Sequence, residues 1–313
     1  MKRKKRRTII ILSVIVTLFL GVFIYNRVLL HEEKSVMEPL GNIVSVNGHD
    51  ISVYTEGTGP KTLVFMSGGG TCSPILDFKS LFKCLSDEYR IVVVERPGYG
   101  FSQSINTSRD ISSILNDTRG ALQQLGIPGP YILCPHSMSG IEAIYWSQKF
   151  PKEVEGVIGL DMATPYHYEN LNIHMPILYL SKLGMELGFS RLIPNLWQGD
   201  AVKHGTLSDR EKEIYHGIFY RKSLSTPMIK EAKAVKDNAS YVLSKGIPQI
   251  PLLMFVSNGE GTGMKKELWK KCSETFVEQI HNGKIINLDC PHYIHDYCYN
   301  EISEEMKIFI GAL

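Results

Sequence analysis

The stretch Tyr131–Gln148, YILCPHSMSGIEAIYWSQ, reads as a buried strand, a tight turn and a helix. The apolar run rises to Cys134-Pro135-His136, Ser137 follows, and Met138-Ser139-Gly140 leads into a helical pattern. A sharp strand-to-helix turn lifts a serine side chain clear of the backbone and leaves the next N–H, that of Met138, free at a helix N-terminus. Such a turn needs small residues two positions either side of the serine. Ser139 meets the requirement. Pro135 does not, because it removes a backbone donor and fixes φ near about −65°. Gly140 supplies freedom one position later. A serine hydroxyl is a poor nucleophile at neutral pH and needs a base and an oxyanion site, so Ser137 matters only if the rest of the chain supplies them. His136 reads as a packing residue.

Outward from this stretch, strands and helices alternate. NIVSVNGHDISVYTEG forms two short strands around Asn47-Gly48, a strong hairpin signal. KTLVFM (Lys61–Met66) is a strand ending in Ser67-Gly68-Gly69-Gly70, and Pro74 to Ser86 suits a helix. YRIVVVE (Tyr89–Glu95) is a continuous apolar run, hence a strand buried on both faces, and it stops at RPGYGFS (Arg96–Ser102). Asp110 to Leu125 carries helical spacing. VEGVIGLD (Val154–Asp161), IPLLMFVS (Ile250–Ser257) and KIINLD (Lys284–Asp289) are further strands, and a last helix runs over Glu301–Ile310. This alternation predicts a mostly parallel sheet with helices on both faces. Between about residues 164 and 246 no buried strand is legible, only helical pattern broken by Pro and Gly. Placed between two sheet strands, that interval predicts a helical cap over the C-terminal sheet edge, where open α/β sheets place ligands.

The first thirty residues differ from the rest. Six of the 34 basic residues stand in the first seven positions, and without them 28 basic residues face 32 acidic ones, a net charge of −4. The body is mildly acidic, and a nucleic-acid partner has no support. Thr8–Asn26, TIIILSVIVTLFLGVFIYN, carries no charge and as a helix spans roughly 30 Å, a bilayer core. It is longer than a signal-peptide core and no clear Ala-x-Ala site follows. The reading is a cytoplasmic basic tail (1–7), a single-pass anchor in the cell membrane (8–30) and a domain (40–313) on the outer face, by the positive-inside rule. The lipid bilayer is thus one expected partner. The six cysteines (72, 84, 134, 272, 290 and 298) contain no C-x-x-C pair, so no metal signature is present and free thiols are expected.

With SGGG, RPGYGFS, PHSMSG and CPHYIH in this order, the chain from about Asn42 to its C-terminus resembles the α/β-hydrolase superfamily. That resemblance implies an α/β-hydrolase fold with a cap insertion and gives Ser137 the nucleophile's place. It implies an oxyanion hole from the Met138 N–H and from the loop after KTLVFM. There Ser67-Gly68 stands where the family often has His-Gly, making Gly69 the second donor and Gly70 the fallback. His292 matches the family's Gly-His-aromatic pattern for the base, with Pro291 in the glycine's place and His295 as competitor. The acid has two family positions: the turn after the seventh strand, where Glu260 stands, and the end of the sixth, where Asp161 stands. Both stay open. Asp161 is favoured slightly, because a carboxylate ending a buried run needs a partner and His292 would be one.

The implied function is a membrane-anchored serine hydrolase cleaving an ester or amide bond of a small-molecule acyl substrate, with no cofactor and no metal. A serine in the nucleophile's place argues against the epoxide hydrolases and haloalkane dehalogenases, whose nucleophile is Asp. RPGYGFS also occurs in proline-iminopeptidase-like members, so an aminopeptidase is the alternative. A non-catalytic ligand-binding role is kept because fold alone does not give function. MPILYLSKLGMELGF (Met175–Phe189) suggests an apolar acyl pocket or, equally, cap packing.

Overall fold

A computed structural model describes residues 2–313, so Met1, at the head of the basic tail, lies outside the described residues. Helix α1 (Lys2–Glu32) runs unbroken from the basic tail through the apolar segment, and it is long and apolar enough to cross a membrane. The hairpin β1 (Asn42–Val46) and β2 (His49–Glu56) turns at Asn47-Gly48, both at positive φ. Next come β3 (Thr62–Met66), α2 (Pro74–Asp77), α3 (Lys79–Lys83), β4 (Arg90–Glu95) and α4 (Ile111–Gln124). One helix was expected over Pro74–Ser86. Two short ones form instead, because the chain steps at Phe78, whose ring packs onto Phe65 at 5.3 Å between centroids. Helix α4 begins as expected, with the Asp110 carboxylate accepting the Ser113 N–H at 3.0 Å.

β5 (Tyr131–Pro135) and α5 (Ser139–Lys149) flank Ser137, and β6 (Val154–Leu160) follows. Five helices then come before the next strand: α6 (Pro165–Asn170), α7 (Met175–Leu187), α8 (Asp200–Lys203), α9 (Asp209–Lys222) and α10 (Thr226–Leu243). β7 (Leu252–Val256), α11 (Lys266–Val277), β8 (Gly283–Asn287), α12 (Ile294–Tyr297) and α13 (Tyr299–Gly311) complete the chain. The strands form one eight-stranded sheet in the order β1-β2-β4-β3-β5-β6-β7-β8. β1–β2 and β2–β4 are antiparallel; every other pair is parallel. The molecule has the α/β-hydrolase fold.

Each central strand is buried on both faces, which explains its continuous apolar run. Val64, Val92 and Leu133 face α4, α5 and α11, whereas Leu63, Ile91 and Ile132 face α3 and α13. The sheet is therefore the middle of three layers. The cap joins it through a buried ionic cluster: Glu231 of α10 accepts from Arg109 Nε at 3.0 Å and from the Tyr99 hydroxyl at 2.6 Å. All six cysteines are free thiols.

α1 does not stand apart from the body. Arg191 donates to Asn26 at 2.7 Å and pairs with Glu33 at 2.8 Å, and the ring of Phe189 meets that of Phe19 edge-on at 4.8 Å.

Candidate active site

Ser137 occupies the turn between β5 and α5 with φ +52°, a left-handed conformation rare for a residue with a side chain. The surroundings hold it there. The Ser137 carbonyl accepts two N–H bonds, from Gly140 at 3.0 Å and from Ala163 at 2.8 Å. The close approach that brings Ala163 here explains Gly140: a Cβ at this position would lie 2.2 Å from the Ala163 oxygen. On the other side, a Cβ on Gly68 would lie 2.9 Å from Ser137 Cβ. The space usually cleared by flanking glycines is thus cleared by Gly68 and Gly140. Pro135 closes β5 opposite Met66, and the next N–H, from His136, continues the ladder to the Met66 carbonyl at 2.8 Å. A proline at the strand's last position costs the sheet little.

The loop after β8 carries His292, its backbone N–H donating to the Glu260 carbonyl at 2.9 Å. Its Nδ1 lies 2.5 Å from Asp161 Oδ2 and its Nε2 lies 2.8 Å from Ser137 Oγ. A carboxylate only accepts, so Nδ1 carries the proton and Nε2 presents its lone pair to the serine hydroxyl. Asp161 has no exposed surface, and its other oxygen accepts the Ser257 N–H and the Trp269 indole N–H, both at 2.8 Å. It too has a positive φ, +49°. Glu260 is exposed; its main chain, not its carboxylate, meets His292.

The other two histidines of the cluster pack. His136 donates Nε2–H to the His292 carbonyl at 3.2 Å, and burial together with the neighbouring imidazoles holds it well below the usual histidine range. His295 is enclosed between Phe78 and His136, its ring nitrogens without hydrogen-bond partners among the described residues, and burial pushes its pKa down to about 3. Both are therefore neutral at physiological pH. The structure thus brings Ser137, His292 and Asp161 into one hydrogen-bonded line and leaves the Glu260 carboxylate and His295 out of it.

Above the serine, the Met138 and Gly69 N–H groups have no backbone or side-chain acceptor among the described residues. The Gly70 N–H, the fallback donor, points instead to the Tyr99 hydroxyl at 3.4 Å. Arg96 explains the orientation of the Gly69 donor. Its guanidinium donates to the Gly68 carbonyl at 3.1 Å, and the C=O and N–H of one trans peptide point in opposite directions. Holding the carbonyl back therefore turns the Gly69 N–H forward. Arg96 is itself fixed between Glu142 (3.6 Å) and Glu231 (3.3 Å), over the Tyr99 ring. The motif RPGYGFS marks this loop in the sequence, but nothing in its pattern shows what Arg96 and Tyr99 do.

A cleft of about 230 Å³ opens over Ser137, Gly69 and Met138, walled by Leu171, Ile173 and Leu178 of the insertion and Met228 of α10. Its lining is apolar apart from the serine, Tyr168 and the backbone N–H groups, the pattern of a site for an apolar ligand with a polar end. Among the described residues no cluster of three or more His, Cys, Asp or Glu side chains is placed to hold a metal ion.

Comparison with known proteins agrees with this architecture. A family model described as alpha/beta hydrolase fold matches residues 61–183. The uncharacterized protein YbdG of Bacillus subtilis is 34% identical over 298 residues, covering 93% of this chain and 91% of that protein. The 2-(acetamidomethylene)succinate hydrolase of Mesorhizobium japonicum is 28% identical over 123 residues, 39% of this chain and 42% of that one. Among solved structures, an epoxide hydrolase from Vigna radiata superposes with a TM-score of 0.70 at 15% identity, over 87% of this chain and 98% of that chain.

Proposed function

The chain belongs to the α/β-hydrolase family, and from that premise we propose that it is a membrane-anchored serine hydrolase that cleaves an ester or amide bond through an acyl-enzyme. One observation carries the reading: the unbroken line Ser137 Oγ–His292 Nε2 (2.8 Å) and His292 Nδ1–Asp161 Oδ2 (2.5 Å). A serine, a base and an orienting acid in hydrogen-bond contact make the hydroxyl nucleophilic.

The steps follow from the geometry. Ser137 Oγ attacks the substrate carbonyl as His292 Nε2 takes its proton. Asp161 holds the Nδ1 proton and stabilises the imidazolium without itself being protonated. The carbonyl oxygen becomes an oxyanion between the Met138 and Gly69 N–H groups, with the α5 N-terminus behind the first. The intermediate collapses, and the imidazolium gives its proton to the departing alcohol or amine. A water, deprotonated by His292, then attacks the acyl carbon and frees the acid and Ser137. Where the epoxide hydrolases and haloalkane dehalogenases have an aspartate nucleophile, Ser137 supports acyl transfer instead.

α1 supports the anchor. It crosses the membrane with its basic end in the cytoplasm and carries the catalytic domain on the outer face. The test is turnover by the full-length protein on a panel of p-nitrophenyl esters and aminoacyl arylamides. Ser137→Ala should lower kcat/KM on the order of 10⁴-fold or more; equal rates for parent and variant contradict the proposal.

A further inference from the structure

Helix α7, MPILYLSKLGMEL, is apolar except along one side, yet none of its residues is buried. Its two charges, Lys182 and Glu186, neutralise each other as an i,i+4 pair. Leu180 is 70% exposed and Ile177 61%, and the exposed Leu192 and Ile193 beyond the helix continue the patch. In water such a helix would bury its apolar sides against the body or a partner.

The contacts with α1 show where this surface lies. Phe189, just past α7, packs on Phe19, while Asn26 donates to the Glu186 carbonyl at 3.4 Å. Phe19 precedes Asn26 by seven residues, roughly 10 Å along a helix axis. The end of α7 therefore sits beside the apolar part of α1, not beyond it. A bilayer that holds α1 as far as Asn26 reaches α7 as well, and a helix of this composition fits the boundary between headgroups and acyl chains.

Resting on the membrane-anchor reading above, we propose that α7 and the turn after it lie in that bilayer, and that the cleft over Ser137 draws the acyl chain of a lipid ester laterally from it. Two features connect bilayer and serine. Leu178, on α7 itself, walls the catalytic cleft. Leu224 lines both that cleft and a second one of about 540 Å³ between α1 and the cap, so the two share a wall. Leu224 is held at φ +56°, a strained conformation for a leucine. A chain entering past Leu178 would meet apolar side chains as far as the oxyanion donors, where its carbonyl stops; the second cleft, which carries Arg27, Lys182, Glu186, Arg221 and Lys222 beside Phe23, Leu30 and Met185, is the polar mouth of that route.

The experiment compares labelling of Ser137 by two fluorophosphonates in the full chain reconstituted in phosphatidylcholine vesicles: a hexadecyl probe dissolved in the lipid and an ethyl probe added from water. The double variant Ile177→Asp with Leu180→Asp should slow the hexadecyl reaction at least tenfold and leave the ethyl reaction within twofold. Equal slowing of both, or of neither, overturns the proposal. A depth measurement separates the underlying reading. Leu180→Trp and Ile15→Trp should both be quenched by brominated lipid, and Ile308→Trp, on α13, should not. Quenching at 15 without quenching at 180 overturns the proposal and leaves the anchor standing. No quenching at 15 removes the anchor, and the proposal with it.

Discussion

A carboxylate with no exposed surface, such as Asp161, keeps its charge only where donors surround it. Three do: His292, Ser257 and Trp269. Under the triad reading, Asp161→Asn offers the imidazole a wrong or ambiguous partner and should lower kcat by about 10³–10⁴-fold, whereas Glu260→Gln should change it little; steady-state kinetics on one ester separates them. From sequence Asp161 is favoured only slightly, because both acids stand at positions that suit the role, one at the end of β6 and the other in the turn after β7. What distinguishes them is the indole of Trp269, 108 positions from Asp161, in a helix whose place against the sheet no local pattern reveals. Arg96 is a second such case. Arg96→Lys keeps a charge between Glu142 and Glu231 but lacks the fork that also reaches Gly68. It should cost kcat about 10–100-fold with KM nearly unchanged, since the loss falls on the oxyanion.

Between element and element, the turn from β5 to α5 is where the tolerances are smallest. Gly140→Ala would push a methyl into the Ala163 carbonyl, 2.2 Å away, forcing α5 from the end of β6. It should destabilise the fold by about 1–3 kcal/mol, read as a shift in urea midpoint, and lower activity beyond that by moving Ser137. The central strands were legible because a run buried on both faces is apolar at every position. The substituted elbow was legible only through the order of its neighbours, since its missing glycines are replaced in space by Gly68 and Gly140. Less was visible where packing overrode local pattern. The helix over residues 74–86 breaks where Phe78 turns inward, and α11 was not foreseen behind the glycine-rich loop Gly259–Gly263.

Across the whole molecule, buried acids set the response to pH. Burial pushes Asp77 up to about 8 and Glu95 up to about 7. Each binds its proton more tightly folded than unfolded, so the stability it contributes is present below the ordinary carboxylate range. That stability is lost as pH rises, fully so above about 8 for Asp77. The melting temperature should therefore fall between about pH 4 and 8, and Asp77→Asn combined with Glu95→Gln should flatten that fall; an unchanged slope contradicts the assignment. Composition foresaw an apolar N-terminal helix, but not that Asn26 in it and Glu33 just after it hold Arg191 of the cap. The proposed activity depends on the chemistry of one hydroxyl. Intact protein treated with a fluorophosphonate, digested and analysed by mass spectrometry should carry the adduct on Ser137, with labelling abolished in Ser137→Ala and strongly slowed in His292→Ala; folded protein that takes no label at Ser137, or takes it on another residue, would contradict the account.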